Sequence, residues 1–583
     1  MAPRPSEHGG HPAHSPRDRS DPVRTRRSPA WLAAGLSFAI ALGYLLPRRA
    51  PGLTFEDSGL LASAAAVFGI PHPPGYPLWT MLGGVAVRLG SWFGMEPAAA
   101  TNSLSTLAAA GACAVLAAFT AARCGSVLLG SACGLVLLSS NTFRSQAAVT
   151  EVYALATLTQ LSFLSIALGT RLRPGRAGVA LGLAASAHLA SLLLAPLLLR
   201  SVRSLRAACA VAAGVFTGLL PFVYVPLRSL FDPAIDWGDP QTPARLLAHL
   251  GRAQYSGSFE PDRAGALVFA FDQGPWQLAG PLLLALGLAG WLMARRDGSA
   301  AKLGWLVATA SIAGVGLMVK AVYPEMLESV RWRLAGSYQV LVAILATFVA
   351  VSFSGAVQGR WNRPPVRIAL TFALIAAGWF APTPRTALPF PMDSARGADR
   401  FARDLFEQAP PNAFVWINRL GATDVLGFPL LYRQVALGER PDLVLIDRTA
   451  LELAWYREQL AARAPELRPA LANLGRLLDG SPQDASPPAG GRSNDVRLRN
   501  PAARRRASGL VFQAARASQR PLVATDPPGQ AILGERPLVP SGLLWWDTTP
   551  AEADRVSRVD LTGEPRSPWT DMLDELAERR AQP

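Results

Sequence analysis

Charged residues are scarce in this chain, and their scarcity excludes an ordinary soluble protein. Asp, Glu, Lys and Arg together make up 17% of the 583 residues, against roughly 25% in typical soluble domains. Half of the residues are hydrophobic, and from Trp31 to Ala381 they gather into long apolar runs. The composition therefore predicts a membrane protein with several crossings.

Other signatures are also missing. The four cysteines lie in or beside apolar segments, where thiols behave as small hydrophobic groups, so neither a disulfide framework nor a metal site is expected. The chain has no zinc-finger, RNP, Walker, HExxH, nucleophile-elbow or dinucleotide pattern. The formal charge of the protein is +15, and its basic residues are therefore expected to contact anionic lipid headgroups and phosphates. Nucleic acid is not an expected partner.

Three parts are expected along the chain: a disordered basic arm, a helical membrane domain and a soluble α/β domain, at residues 1–29, 30–382 and 383–583. The membrane domain has about 9–11 apolar segments of membrane length. Loops on the outer side are expected at residues 47–99 and 226–275, and a flexible insertion, rich in Pro, Gly and Ser, at residues 481–500.

Arginine clusters between the apolar runs predict the orientation. The positive-inside rule places the N-terminus in the cytoplasm and the α/β domain outside, provided that residues 76–93 lie flat in the outer interface. It also requires residues 178–199 to be a broken helix or a re-entrant hairpin with His188 near its midpoint. The Arg- and Ala-rich composition fits a bacterial inner membrane.

Short β-rich runs mark the C-terminal part. Strands are predicted at residues 413–418 and 442–447, with a helix-compatible stretch between them that is long enough for a parallel crossover. Two further strands are predicted at residues 521–525 and 542–546. A small α/β domain with a partly parallel sheet is the expected result.

The strongest candidates for chemistry are the adjacent carboxylates Glu56 and Asp57, just after the first apolar segment. A partly desolvated carboxylate that still meets water can accept a proton from an incoming hydroxyl group. An ionised pair that only anchors the first helix is the equal alternative. Glu151 begins a later apolar helix, where the macrodipole or an ion pair with Arg144 would explain it; orienting substrate hydroxyls is the functional alternative.

A rigid corner follows at residues 72–75, with the sequence HPPG. Its two prolines fix φ and its glycine widens the accessible conformations, so the corner can aim His72 at one point. The simpler reading is a turn that only ends one helix and begins the next.

Candidate substrate contacts concentrate in the second outer loop. Guanidinium groups suit phosphate oxygens, aromatic faces suit sugars, and an interfacial anchoring belt is the alternative. The candidates are Arg228, Asp236, Trp237, Asp239, Arg252 and Tyr255, with Arg331 and Arg333 in a later outer loop and His72, Arg144 and His188 as further contacts.

These motifs occur in a fixed order: EDSG, GIPHPPGYPLWTMLG, TEVYAL, DWGDP with RAQY, and ERPDLVLID with WYREQL. In this order they resemble the domain-of-unknown-function 2723 family, which is related to membrane protein O-mannosyltransferases in the GT-C glycosyltransferase superfamily. The resemblance runs from about Leu53 to Phe259, with a weaker match near residues 418–460.

The resemblance implies a helical GT-C-like fold and inverting transfer of a hexose, with mannose expected, from a polyprenyl-phosphate donor to a protein hydroxyl. It implies that Asp57 is the catalytic base. Less directly, it implies that Glu151 corresponds to an outer carboxylate of the family and that the corner at His72 corresponds to the family's His-Pro-Pro corner. No cofactor is implied, and the need for a divalent metal stays open. Relatives commonly continue DSGE where this chain has Leu60, so an inactive scaffold stays open unless Glu56 substitutes.

A second functional class also fits the apolar chain. A transporter or flippase of a lipid-linked or anionic solute would use His188, in its broken helix, as a midplane site. The sequence shows no inverted repeat, which argues against this alternative.

Overall fold

The computed structural model describes residues 27–169, 172–255, 306, 309, 339–358, 391–417, 426–479, 501–525, 538–541 and 544–547. Most of the expected basic arm, the expected insertion at 481–500, and the candidates Arg331 and Arg333 lie outside these residues. The expected membrane segments at 276–294 and 367–381, and nearly all of that at 303–320, also lie outside them.

The described residues of the N-terminal part are mostly helical. Its helices are α1 (Arg27–Leu45), α2 (Ser58–Val67), α3 (Pro77–Ser91), α4 (Pro97–Cys124), α5 (Val127–Leu135), α6 (Asn141–Ala148), α7 (Tyr153–Ala167), α8 (Pro174–Ala187), α9 (Leu205–Leu219), α10 (Tyr224–Ser229), α11 (Pro243–Leu250) and α12 (Gln339–Gln358). Buried alanines, leucines and phenylalanines from most of these helices form one continuous core.

Within the described residues, three helical stretches are long and apolar enough to cross a membrane: Pro29–Arg48, Pro97–Cys124 and Leu205–Ser229. The first and third leave much apolar surface uncovered, with Trp31 76% and Phe216 70% exposed. Bare apolar helix faces of this kind are those that lipid chains cover.

The third stretch continues past the expected start of the second outer loop. The second outer loop was expected to begin at Pro226, but the helical path continues through a 3₁₀ turn (Leu220–Val223) and α10 to Ser229. Pro226 is tolerated because it lies in the first turn of α10, where backbone N–H groups have no helical partner. Arg228 therefore lies on a helix and not in the loop.

The expected break at His188 is confirmed. α8 ends at Ala187, His188 has an extended backbone, and a 3₁₀ helix runs over Leu189–Ser201. The backbone N–H of Ala190 donates to His188 Nδ1 at 3.2 Å, so this side chain caps the second half.

The C-terminal part contains a five-stranded sheet. Its strands are β1 (Phe414–Ile417), β2 (Val444–Asp447), β3 (Leu522–Ala524), β4 (Val539–Ser541) and β5 (Leu544–Trp546), in the order β2-β1-β3-β5-β4. β1 is parallel to β2 and β3, whereas β5 is antiparallel to β3 and β4. All four runs predicted as strands are present, and β4, which pairs with β5, was not foreseen.

Helices cover both faces of this sheet. They are α13 (Pro391–Gln408), α14 (Phe428–Leu431), α15 (Ala454–Arg463), α16 (Arg468–Asp479) and α17 (Pro501–Ala517). Alternate residues of β1 point to opposite faces, as in any strand: Val415 packs with α13, and Trp416 packs with α17.

The sheet part is docked directly on the helical part. Phe55 and Ala98 belong to the same buried cluster as residues of α13 and β1, and the backbone N–H of Ala98, at the start of α4, donates to the Tyr432 hydroxyl at 3.1 Å. α2 approaches α14 so closely that a Cβ at Gly59 would lie 2.3 Å from the carbonyl oxygen of Phe428.

The close approach at Gly59 gives a stability prediction. Gly59→Ala should lower the free energy of unfolding by about 1–3 kcal/mol, because the obstructing atom is backbone and cannot rotate away. The measurement is thermal unfolding of the purified full-length protein.

Gly43→Ala is the matched control, because Gly43 lies in α1 with open space around its Cβ position. It should gain only the ordinary helix preference of alanine. A Gly59→Ala protein as stable as the control would show that α2 and α14 do not pack as described.

Candidate active site

Asp57 and His72 form the centre of the site. Asp57 immediately precedes α2, and His72 lies in the turn between α2 and α3. His72 Nε2 lies 3.2 Å from Asp57 Oδ2, with the two side chains 9% and 19% exposed. Nδ1–H of the same imidazole donates to the Pro73 carbonyl at 3.2 Å. The pair is partly shielded from water and held by its own turn.

The charge of this pair is set by two opposing effects. Burial on its own lowers the pKa of His72, but the nearby Asp57 carboxylate outweighs that effect and holds the pKa above its usual value. A protonated His72 therefore fixes an ionised Asp57 by charge attraction.

The HPPG corner is positioned by the DWGDP turn (residues 236–240). Ile70 N donates to Ile235 O at 2.7 Å, and Trp237 N donates to Ile70 O at 3.0 Å, so the two segments pair like short strands. Loop residues distant in sequence are thereby fixed beside His72.

A buried histidine fills the space behind the corner. A Cβ at Gly75 would lie 3.0 Å from His249 Nε2, and a Cβ at Gly238 would lie 2.8 Å from its Nδ1; both glycines have φ near +85°, at +88° and +85°. Only glycine both adopts this positive φ without strain and leaves room for the His249 ring. Burial, and then the charge of His72, lower the pKa of His249 to about 3, so this imidazole is neutral.

An aromatic row leads from the pair to the helix break. The His72 ring lies 5.5 Å from that of Tyr76 and 6.4 Å from that of Trp237, measured between centroids. Tyr76 stacks on His188 at 5.6 Å, and the ring of Tyr153 lies 5.5 Å from that of His188. The residues at 57, 72 and 188 therefore belong to one continuous site.

Arg252 and Glu151 add charge around Tyr76. Burial raises the pKa of Tyr76, Arg252 opposes the shift through its charge and a hydrogen bond to the hydroxyl, and Asp57 and Glu151 add to it. Glu151 is buried, and its carbonyl accepts from Trp79 Nε1 at 3.0 Å. One guanidinium and two carboxylates thus meet at a neutral phenol.

Two other candidates make hydrogen bonds within the protein. Arg228 Nε donates to the Phe68 carbonyl at 2.7 Å and its Nη2 to that of Val67 at 3.2 Å, which closes the end of α2. These bonds use two of the five N–H groups of the guanidinium, and a phosphate contact of Arg228 stays a prediction. Arg144 Nη1 donates to the Tyr44 hydroxyl at 3.5 Å.

The carboxylates of the DWGDP turn also stabilise the loop. Asp236 Oδ2 accepts from Ser229 Oγ at 2.8 Å, Asp239 Oδ1 lies 3.3 Å from the same hydroxyl oxygen, and Asp239 pairs with Arg245. Burial raises the pKa of Asp236 to about 6. Trp237 is the member of this turn that faces His72.

For two remaining candidates, Glu56 and Tyr255, the position is given by the backbone. Glu56 has a left-handed φ of 70° beside Asp57, and Tyr255 ends a 3₁₀ turn (Ala253–Tyr255) that follows Arg252. Among the described residues, no group of three or more His, Cys, Asp or Glu side chains has the arrangement of a metal site.

Sequence reasoning missed Tyr76, Tyr153 and His249. Tyr76 directly follows the HPPG corner and Tyr153 lies two residues after Glu151, so their closeness to candidates was visible. His249 gave no signal, because its role depends on glycines from two distant turns.

Residues 57–203 match the family profile described as "Protein O-mannosyl-transferase TMEM260 N-terminal domain". The chain is 25% identical over 491 residues to the mouse (Mus musculus) "Protein O-mannosyl-transferase TMEM260", covering 77% of this chain and 67% of the relative.

A solved structure is also similar, at 14% identity and a TM-score of 0.36: ArnT from Cupriavidus metallidurans bound to undecaprenyl phosphate. The alignment covers 72% of this chain and 90% of that one. The sequence matches confirm the expected class, a glycosyltransferase related to protein O-mannosyltransferases. The label of the domain-of-unknown-function 2723 family stays a prediction.

The Asp57–His72 pair predicts a specific pH dependence of stability. Because the folded-state pKa of His72 is raised, its contribution is fully present below the unfolded pKa of about 6.5 and is lost as pH rises through the folded value. The difference in melting temperature between wild type and His72→Asn should therefore be larger at pH 5.5 than at pH 9.

Asp57→Asn provides the control, because without the carboxylate the two effects that lower the pKa of His72, burial and the charge of Arg252, are opposed only by the hydrogen bond to Pro73. The excess stabilisation at low pH should then vanish. A melting-temperature difference that stays constant from pH 5.5 to 9 would argue against a charged pair.

Proposed function

We propose that this glycosyltransferase moves a hexose, with mannose expected, from a polyprenyl-phosphate donor to a hydroxyl group of a protein on the non-cytoplasmic side of the membrane. The observation that carries the proposal is the Asp57–His72 pair at 3.2 Å, with Arg252 beside the adjoining Tyr76. The similarity to a protein O-mannosyl-transferase supports it.

Asp57 acts as the general base in this proposal. Its carboxylate takes the proton from the acceptor hydroxyl while that oxygen attacks the anomeric carbon from the side opposite the phosphate, which inverts the configuration. His72 holds the carboxylate through Oδ2 and so limits its rotation. A base fixed in this way needs little reorganisation when the hydroxyl arrives.

Arg252 neutralises the departing lipid phosphate. Guanidinium groups bind phosphate oxygens through paired, charge-assisted hydrogen bonds, and such bonds strengthen where water is scarce. The Tyr76 hydroxyl already lies against Arg252, and burial keeps it protonated, so it supplies a further donor. Negative charge that develops on the leaving group therefore meets one cation and one hydroxyl.

Leu60 bears on the alternative of an inactive scaffold. It is fully buried and packs with Ile235 and Phe428. An acidic side chain would be costly among these neighbours, so the mechanism proposed for this chain relies on Asp57 and not on a second carboxylate at position 60.

The alternative of a transporter keeps one supporting observation, the break at His188. The break places an imidazole beside Tyr76 and Tyr153, where it also fits the wall of a donor site that continues from Asp57. Activity measurements separate the two functions, because transport leaves the sugar on its lipid, whereas transfer moves it to an acceptor hydroxyl.

The base is tested by Asp57→Asn in membranes supplied with labelled polyprenyl-phosphate mannose and an acceptor protein. The variant should lose about 10²–10⁴-fold in transfer rate, because the amide cannot accept the hydroxyl proton. Asp232→Asn, at an exposed carboxylate with a left-handed φ of 42°, should transfer like wild type.

If Asp57→Asn transfers sugar as fast as wild type, Asp57 is not the general base. A wild-type protein that transfers no sugar from any polyprenyl-phosphate donor, but moves a lipid-linked solute across vesicles, would favour the transporter.

The phosphate contact is tested by Arg252→Ala and Arg252→Lys. Donor affinity, measured by titration with vesicles that contain polyprenyl phosphate, should fall about tenfold or more in Arg252→Ala and less in Arg252→Lys, which keeps the charge but not the fork. Arg203→Ala removes an exposed guanidinium and is the control. Equal affinity in all four proteins would contradict the assignment.

A further inference from the structure

A cavity of about 100 Å³ lies between α2, the DWGDP turn and the sheet. Leu60, Ile235, Phe428 and Leu431 form its apolar wall, and Trp237 and Trp455 stand at its side. It lies apart from the contacts between Asp57, His72 and Arg252. Its lining comes from three segments that are far apart in sequence, so only the folded chain creates it.

The cavity lies at the ligand-binding edge of the sheet. Ile417 and Asp447, the last residues of the parallel strands β1 and β2, both line it. Open α/β sheets bind their ligands outside the carboxyl ends of parallel strands. In this protein that edge faces the DWGDP turn, so a ligand of the α/β domain is enclosed between the two parts.

Trp237 joins the cavity to the active site. Its ring lies 6.4 Å from the ring of His72 on one side and 5.3 Å from that of Trp455 on the other. A molecule with one group in the cavity is thus separated from the Asp57–His72 pair by a single side chain. This spacing suits a polymer that places one residue in the cavity and a neighbouring residue at Asp57.

Most polar groups in the lining are already engaged within the protein; among the described residues the exception is Asp236 Oδ1, which is buried and has no hydrogen-bond partner. Asp447 Oδ1 accepts from Thr449 N at 2.8 Å and from Ala450 N at 3.3 Å. The Tyr456 hydroxyl lies between Asp447 N and the Leu445 carbonyl, at 2.8 and 3.2 Å.

Gln459 Nε2 donates to the Asp236 carbonyl at 2.8 Å. A sugar would compete with these bonds, whereas an apolar group would not. The cavity therefore selects mainly by shape and apolar contact, with Asp236 Oδ1 as one available acceptor.

We propose that this cavity binds an apolar side chain of the acceptor polypeptide, close in sequence to the hydroxyl residue that receives the sugar. The inference rests on the proposed function and deepens it, because it assigns the α/β domain a part in acceptor choice. An apolar cavity of about 150 Å³ holds a benzene molecule, so this smaller one suits a Val- or Leu-sized group. A prenyl chain has a better place on the bare faces of α1 and α9.

The experiment measures the binding of fluorescent peptides to the full-length protein in nanodiscs, with transfer assayed in parallel. Each peptide carries one Thr, and Leu or Ser is placed in turn at every neighbouring position. At one position Leu should bind about ten- to a hundredfold more tightly than Ser, as expected when an aliphatic side chain is buried.

Ala450→Phe fills the cavity and should abolish that preference. Ala462→Phe makes the same change on the exposed side of α15 and should keep it. Leu60→Ala enlarges the cavity and should shift the preference from Leu towards Phe, which tests the site even if the filled variant does not fold.

Equal binding of Leu and Ser peptides, or a preference for Leu that survives in Ala450→Phe, would overturn the inference. Sugar transfer by the wild-type protein would still leave the proposed function standing in that case. If the protein shows the predicted preference for Leu but transfers no sugar, the peptide site would be supported and the proposed function would be contradicted. Ala450→Phe is also titrated with vesicles that contain polyprenyl phosphate. A loss of vesicle binding with unchanged peptide binding would assign the cavity to lipid and overturn the proposal.

Discussion

The short backbone pairing between Ile70 and residues 235–237 is the constraint on which the site depends. It consists of two hydrogen bonds, from Ile70 N to Ile235 O and from Trp237 N to Ile70 O. Because backbone atoms make it, it does not depend on side-chain rotamers, and it fixes the HPPG corner and the DWGDP turn in one register. His72 is thereby aimed at Asp57, and Trp237 is held between His72 and Trp455. Loss of this register would separate the base, its positioning imidazole and the aromatic wall together.

Burial and charge pairing oppose each other across the site, and the result differs from residue to residue. Desolvation alone disfavours every charged form. It prevails at His249, whose pKa falls, and at Tyr76, whose pKa rises, so both side chains stay neutral. It does not prevail at His72, because Asp57 stands beside that imidazole. The charged pair is thus surrounded by neutral rings, which leaves its field only weakly screened.

The α/β domain takes part in the construction of the site. Its α14 lies against Gly59 of α2, its Gln459 holds the Asp236 carbonyl, and its Arg463 holds that of Ala234 at 3.2 Å. Arg245 of α11 bonds to Glu458 of α15, although this pair is exposed and adds little stability. The segment that carries Trp237 is therefore held from both sides, which gives a physical reason for one chain to carry both domains.

Periodicity and composition were enough for the local elements. Uninterrupted apolar runs predicted α4 and the long helical stretch that ends at Ser229, and short β-branched runs predicted β1 and β2, because both signals depend only on neighbouring residues. The basic loops predicted the break at His188 indirectly, through charge balance. The continuation of the helix through Pro226 to Ser229 was not visible, since a proline in a first helical turn looks the same in sequence as a proline that ends a helix.

By itself, the sequence determined the chemistry available to this protein: the carboxylate at Asp57, the rigid corner at His72 and the guanidinium at Arg252. The tertiary structure decided which of these groups meet. It separated Arg228, which closes α2, from Arg252, which lies at Tyr76, although both were equal candidates. It also created the roles of His249 and of the cavity beside Leu60, which depend on segments distant in the chain. The physical reason is that residue type and spacing fix what a side chain can do, whereas its partners are fixed by backbone pairing and packing between remote segments.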